Sequence, residues 1–294
     1  MTAAAPATGL VVAATRAELA VALDTLRSKG SRIALVPTMG ALHEGHRALV
    51  TRAAALTDAV VVSIFLNPLQ FAAGEDLARY PRTLDSDLAL CAAEGVAVVF
   101  APLAHEVYPR GEPTVRVAAG GLGEILEGAS RPGHFDGVLT VVAKLFGLVR
   151  PDVAVFGEKD AQQLRLVRQM VDDLDIPVRI EAVPIVRTTE GLALSSRNKY
   201  LDGPAMHAAL ALSRSVAAAQ AAGAAGRTVE EVLSVARQEL RAEHEIDVDY
   251  CVLVDPETFA QLAPGTGRPG LLLVAAKVGA TRLIDNGLVV GGSS

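Results

Sequence analysis

The chain has no tryptophan, only two cysteines and few aromatic side chains, 4% of its 294 residues. So few aromatics leave little with which to stack bases, as single-stranded nucleic acids require. A net charge of −6 offers no basic field to draw a polyanion. Cys91 and Cys251 supply neither a disulfide framework nor a metal-ligand spacing, which favours a reducing cytoplasm. Apolar runs are short, as at residues 59–66, and none approaches the ~18 residues that span a bilayer. Residues 1–9 carry no basic start and no long apolar stretch, so they read as a loose tail rather than a secretory signal. Neither nucleic acid nor membrane is expected as a partner. What is present is an ordinary globular balance, 51% apolar and 20% charged, in a chain long enough for a sizeable core.

Apolar, β-branched runs alternate with helical spacing up to about Val186. Strands are expected at residues 33–37, 59–66, 96–101, 153–156 and 178–186. Helices are expected up to Leu56, and at 84–94, 138–149 and 161–174. Strands that are apolar throughout are buried on both faces, and helices between them make the sheet parallel. The expected fold class is therefore α/β, with a doubly wound, Rossmann-like parallel-sheet domain that binds ligands at the carboxyl ends of its strands. Beyond Val186 a polar, irregular stretch at 187–201 leads to an Ala-rich helix at 204–222 and a second helix at 228–243. Strands follow at 248–254, 271–278 and 281–286. This divides the chain into residues 1–186 and a smaller α+β domain, 187–294.

Chemistry is densest in Pro37-Thr38-Met39-Gly40-Ala41-Leu42-His43-Glu44-Gly45-His46, between the first expected strand and the first helix. A helix N-terminus with free N–H groups attracts phosphate, and Gly40 and Gly45 let backbone approach a ligand. His43 and His46 can turn to one triphosphate and donate to a transferring phosphoryl group. Taken alone, H-x-x-H also fits capping or surface histidines. Zinc suits it less, because no third ligand is near in sequence. Asn67 and Gln70 end the second strand; their amides suit hydroxyl and carboxylate groups, or else serve a turn at Pro68. Gly157-Glu158-Lys159-Asp160 ends the fourth strand. Lys159 is a mobile charge suited to phosphate, while Asp160 can cap a helix or hold a ribose hydroxyl. Ser195-Ser196-Arg197 gathers two hydroxyls and a guanidinium, either a triphosphate clamp or a polar linker. Asp85 and Asp87 are candidate Mg²⁺ ligands, or solvated acids at a helix start. Mg²⁺ often leans on phosphates and waters, so a strong protein signature need not exist.

The histidine motif resembles the HxGH signature of the nucleotidyltransferase superfamily, which includes the class I aminoacyl-tRNA synthetases. The longer string is similar to that of the pantothenate synthetase (pantoate–β-alanine ligase) family. So are Asn67-Pro-Leu-Gln70-Phe71, Tyr80-Pro-Arg-Thr83, Arg131-Pro-Gly-His134-Phe135-Asp-Gly-Val, Phe156-Gly-Glu-Lys159-Asp160-Ala-Gln-Gln163-Leu, Leu194-Ser195-Ser196-Arg197-Asn198 and Thr281-Arg-Leu-Ile-Asp-Asn286. These run in family order over nearly the whole chain. Leu194 stands where the family usually has Met.

The resemblance implies an ATP-dependent ligase of coenzyme A biosynthesis. Pantoate would attack the α-phosphorus of ATP, and β-alanine would then displace AMP from the pantoyl-adenylate. It implies catalysis by His43, His46 and Lys159. ATP would be held by residues 39–46, by Gly157 to Asp160, and by Val186, Leu194, Ser195, Ser196 and Arg197. Pantoate would lie on Gln70, Gln163 and Asn67, and β-alanine on Gln70. A homodimer and a C-terminal domain closing over the ATP site follow from the same likeness, and ATP chemistry of this kind calls for Mg²⁺ to neutralise phosphate charge in a cytoplasmic enzyme. Arg131 and His134 lie in a Gly- and Pro-containing loop that either covers the site or stays solvated. Two other readings stay open at this point: an adenylyltransferase acting on a phosphorylated acceptor, and a non-catalytic nucleotide- or RNA-binding relative.

Overall fold

The computed structural model describes residues 9–72, 75–263 and 269–290. Residues 1–8, which make up most of the expected loose tail, lie outside the described residues. Residues up to 158 together with 163–184 form one compact unit; residues 159–162 with 185 onward form the other.

The first unit runs β1 (Val11–Ala13), α1 (Arg16–Ser28), β2 (Ile33–Thr38), α2 (Glu44–Ala54), β3 (Ala59–Ile64), α3 (Leu84–Ala93), β4 (Val98–Phe100), α4 (Ala104–Val107), α5 (Glu127–Ser130), α6 (His134–Val149), β5 (Val153–Gly157), α7 (Ala161–Asp173) and β6 (Arg179–Val183). Its six strands form a parallel sheet in the order β1-β4-β3-β2-β5-β6. Successive strand residues point to opposite faces, and both faces are covered. Ile33, Leu35 and Val61 join Leu19 and Leu23 of α1 and Val138 and Leu145 of α6 in one cluster. Ala34, Val36, Val60 and Val62 join Val50 and Ala53 of α2 and Cys91 of α3 in another. The uniformly apolar strands follow from this double burial. From β2 the chain winds one way through β3 and β4, and later the other way through β5 and β6. The order reverses between β2 and β5, where doubly wound folds bind ligands.

Several boundaries differ from the sequence reading. The edge strand β1 was not expected: three residues carry no periodicity, and Val11 and Val12 are 45% and 47% exposed. Helix α1 was also missed, although Thr15 and Glu18 form a capping box before it. Strand β6 stops at Val183, because Pro184 has no N–H for the ladder. Helix α6 starts at His134, ahead of the expected Val138, after Gly133 turns the chain at φ 77°.

The second unit contains α8 (Gly203–Ala224), α9 (Val229–Arg241), β7 (Ile246–Val254), β8 (Gly270–Val278) and β9 (Thr281–Val289). The strands form an antiparallel β7-β8-β9 sheet. Leu212 and Val216 of α8, Val232 and Leu240 of α9, and Leu272 and Val274 of β8 share its core. The Ala-rich sequence of α8 allows close approach to β9. A Cβ on Gly287 would come within 2.5 Å of Val216 Cγ1, and one on Gly223 within 2.3 Å of Val289 Cγ1. No helix among the described residues is long and apolar enough to cross a membrane.

Candidate active site

The dense motif leaves the carboxyl end of β2 and opens α2. His43 is the N-cap residue of that helix: its Nδ1 accepts the Gly45 N–H at 3.1 Å, and His46 Nδ1 accepts the His43 N–H at 3.2 Å. This is a reciprocal capping box, built from two imidazoles instead of a hydroxyl and a carboxylate. A backbone N–H can only donate, so each Nδ1 is unprotonated and each neutral ring carries its proton on Nε2. The two rings lie with centroids 4.2 Å apart and planes tilted by 48°.

The N–H groups expected to be open for phosphate are engaged elsewhere. Gly40 donates to Thr38 Oγ1 at 3.2 Å. Ala41 and Leu42 donate to the two carboxylate oxygens of Asp87 at 3.0 and 2.8 Å. Asp87 is 2% exposed and also accepts from Thr83 Oγ1 at 3.1 Å. Gly40 at φ 85° and Ala41 at φ 52° are left-handed, a conformation that costs a residue with a side chain about 1–2 kcal/mol. Asp87 stabilises this strained loop from below. The amides of residues 40–43 and 45 are therefore not the donors that this loop holds open for phosphate.

Asn67 follows β3. Its Oδ1 accepts the Leu69 N–H at 3.3 Å and caps a short turn over Pro68–Gln70. Its Nδ2 donates to Gln70 Oε1 and to the Gly137 carbonyl, both at 3.1 Å. Gln70 Nε2 lies 3.0 Å from Met39 Sδ, so Met39, Asn67 and Gln70 come together. Gln163 is half-buried on α7 of the same unit, Gly157 ends β5, and Glu158 is exposed. Glu44 is exposed and pairs with Arg47 at 3.0 Å.

In the second unit, Lys159 is half-buried and Asp160 exposed; the Lys159 carbonyl accepts from Asn286 Nδ2 at 2.9 Å. Residues 186–194 fold back on themselves. Leu194 N–H donates to the Val186 carbonyl at 2.9 Å, which brings Val186 and Leu194 side by side. Arg187 anchors this turn with two bonds to Asp285, at 2.6 and 2.8 Å, and one to the Gly191 carbonyl at 3.1 Å. Ser195 Oγ accepts the Arg197 N–H at 3.2 Å and starts the next turn, and Ser196 is buried. Sequence reasoning gave Asp285 no role. Its signal is the Thr281-to-Asn286 string, whose Asp and Asn both prove to be tethers.

Asp85 is exposed, and both oxygens of Asp87 are occupied by backbone donors. No group of three His, Cys, Asp or Glu side chains able to hold a metal ion occurs among the described residues. Among the described residues Asp87 is therefore committed to the loop, and any Mg²⁺ would lean chiefly on phosphates and waters. Nor is there an activated thiol: burial, helped by the Asp87 charge, pushes Cys91 up to about 11, and burial raises Cys251.

A doubly wound sheet with a histidine pair capping the helix after a strand next to the topological switch defines a nucleotide-handling α/β protein. A family model described as pantoate-beta-alanine ligase matches residues 11–288. The pantothenate synthetase of Leifsonia xyli is 58% identical over 276 residues, 94% of this chain and 95% of the relative. That of Nocardioides sp. is 58% identical over 285 residues, 94% and 84%. The crystal structure of pantothenate synthetase from Thermus thermophilus superposes with a TM-score of 0.90 at 46% identity, covering 95% of this chain and 99% of that one. A pantoate-beta-alanine ligase from Francisella tularensis, complexed with β,γ-ATP and β-alanine, gives 0.77 at 33% identity, covering 95% and 97%. The chain belongs to the pantoate–β-alanine ligase family.

Proposed function

We propose that this chain joins pantoate to β-alanine at the expense of ATP, releasing AMP and pyrophosphate, with a pantoyl-adenylate as the intermediate. The observation that carries the site assignment is the histidine capping box. It fixes the orientation of both rings through Nδ1 at the start of α2, a preorganisation that suits stabilising charge on phosphate oxygens.

The carboxylate of pantoate attacks the α-phosphorus and pyrophosphate leaves with the P–O bond electrons. His43, His46 and Lys159 stabilise that charge, together with Ser195, Ser196 and Arg197. The backbone of residues 39–46 and 157–160 shapes the nucleotide site, and Val186 with Leu194 lies against the base. Gln70 and Gln163 hold pantoate, and Asn67 supports Gln70. The amine of β-alanine, placed by Gln70, then attacks the acyl carbon and AMP departs. Residues 1–186 serve ATP and pantoate, and 187–294 contribute Ser195, Ser196 and Arg197 for the ATP. Positioning and charge neutralisation supply the catalysis, and no side chain forms a covalent intermediate. Mg²⁺ would travel with the triphosphate and neutralise part of its charge; Asp85 and Asp87 are the candidates that the sequence offers for holding it. The same reading makes the enzyme a cytoplasmic homodimer. An adenylyltransferase would want a basic residue for an acceptor phosphate, whereas the guanidinium beside Gln70, that of Arg131, is engaged by Glu75.

Product analysis tests the reading. AMP and pyrophosphate should form from ATP only when pantoate is supplied. Their release with a phosphorylated acceptor instead would overturn it.

A further inference from the structure

The segment from Arg131 to Gly137 takes no part in the reaction as written, yet it surrounds Gln70. Arg131 Nη2 donates to the Gln70 carbonyl at 3.2 Å, and His134 Nδ1 lies 2.7 Å from the same oxygen. A carbonyl only accepts and a guanidinium only donates. The His134 proton therefore sits on Nδ1, and Nε2 accepts from Arg131 Nη1 at 3.0 Å. Glu75 holds the guanidinium through two bonds, at 2.9 and 2.5 Å. Burial works to raise the Glu75 carboxyl, but the Arg131 hydrogen bond and charge, with smaller help from His134 and the Ala72 backbone, outweigh it and hold the group below its usual range.

The side chain of Gln70 is fixed by a second route. The Leu69 N–H can only donate, so it identifies Asn67 Oδ1; the Gly137 carbonyl can only accept, so it identifies Asn67 Nδ2. The other Nδ2 proton goes to Gln70 Oε1. Backbone groups thus dictate that Gln70 turns its NH₂ away from Asn67. Tyr108 donates to Asn67 Oδ1 at 2.9 Å, and burial pushes its phenol up, so it stays protonated. Gly137 is required by contact: a Cβ there would lie 2.2 Å from the Leu69 carbonyl oxygen and 2.8 Å from the Gln70 nitrogen.

We propose that Arg131, His134 and Gly137, with Tyr108, are positioning residues that hold Gln70 at both its carbonyl and its side-chain amide, and thereby set recognition of pantoate. An amide presented NH₂-first suits the carboxylate and hydroxyl oxygens of a hydroxy acid. The proposal rests on the reading of Gln70 as a pantoate residue.

The test is the KM for pantoate and for ATP in Gln70→Ala, His134→Leu and the double variant, each confirmed folded by circular dichroism. Each single variant should raise the pantoate KM by about 10-fold and leave the ATP KM unchanged. The double variant should be no worse than Gln70→Ala, since His134 acts through Gln70. His134→Asn, which can still donate to the carbonyl, should recover most of the loss. If His134→Leu does not fold, Tyr108→Phe carries the same split in smaller measure. Additive losses in the double variant, no change, or ATP and pantoate KM rising together overturn the positioning role, even where Gln70→Ala is selective for pantoate. A Gln70→Ala protein that loses ATP and pantoate alike removes the reading of Gln70, and the link to pantoate with it.

Discussion

Two of the proposed ATP segments are built in opposite ways. The loop before α2 is held amide by amide, partly by its own side chains and partly by Asp87, 46 residues on. The amides of residues 40–43 and 45 are all engaged, by Thr38, by the two histidine rings and by Asp87. The turn at 186–194 hangs on Arg187 and its carboxylate partner Asp285, 98 residues away in sequence. In the first segment the groups proposed for chemistry also make the structure. In the second, the ion pair that keeps the structure lies outside the proposed clamp of Ser195, Ser196 and Arg197. Substitutions should therefore separate: at the histidines catalysis and loop geometry fall together, whereas at Asp285 stability falls first.

The largest effect is expected at His46. His46→Ala removes a donor and half of the capping box, and turnover should fall ~100–1,000-fold in a protein that still folds. Near-normal turnover in steady-state assays would reduce the histidines to caps. Asp285→Asn comes next. It leaves the Arg187 charge partly buried beside a neutral amide, and chemical denaturation should show a loss of roughly 3 kcal/mol. A stability equal to wild type would mean that the turn is held by its backbone bonds alone. Asp87→Asn then sharpens the contrast, because an amide can accept at only one atom and must face Ala41 or Leu42 with a donor. Stability should fall by about 1–3 kcal/mol and turnover with it, while the Mg²⁺ concentration for half-maximal rate stays put. A shifted Mg²⁺ requirement would make Asp87 a metal ligand instead of the support of the loop.

The smallest effect concerns Glu75. Its carboxyl is held below the usual range, so the folded state binds the proton less tightly than the unfolded chain. The stabilising contribution is complete above the unfolded pKa, about 4.3, and is lost as pH falls through the lower folded value. Thermal melts should show Glu75→Gln less destabilised, relative to wild type, in strong acid than at neutral pH. A difference independent of pH would show that the Arg131 pair contributes nothing.

Legibility followed the same division between local and distant. The sheet could be read because strands such as β2 and β3 are apolar on both faces, and helix α2 because His43 and Gly45 mark its start. The three-residue β1 could not be read, since an edge strand so short carries no pattern. Among the proposed site residues, the histidine motif, Asn67 and Gln70 stand out by their place after strands. The work of Asp87 on the Ala41 and Leu42 amides could not be seen, because a buried carboxylate bonded to backbone looks like any acid near a helix start. Tyr108 and Glu75 were invisible for a related reason: each acts across 41 or more residues on a partner that no local pattern names.

The central claim is a two-step reaction through a bound pantoyl-adenylate, and isotope exchange tests it most directly. Enzyme, Mg²⁺, ATP and pantoate are mixed with labelled pyrophosphate and no β-alanine. The first step needs only these components and is reversible while water is kept from the anhydride, so label should enter ATP. Leaving out pantoate should abolish the exchange. Exchange that appears only when β-alanine is added would contradict the order of steps, and exchange without pantoate would contradict the assignment of Gln70 and Gln163.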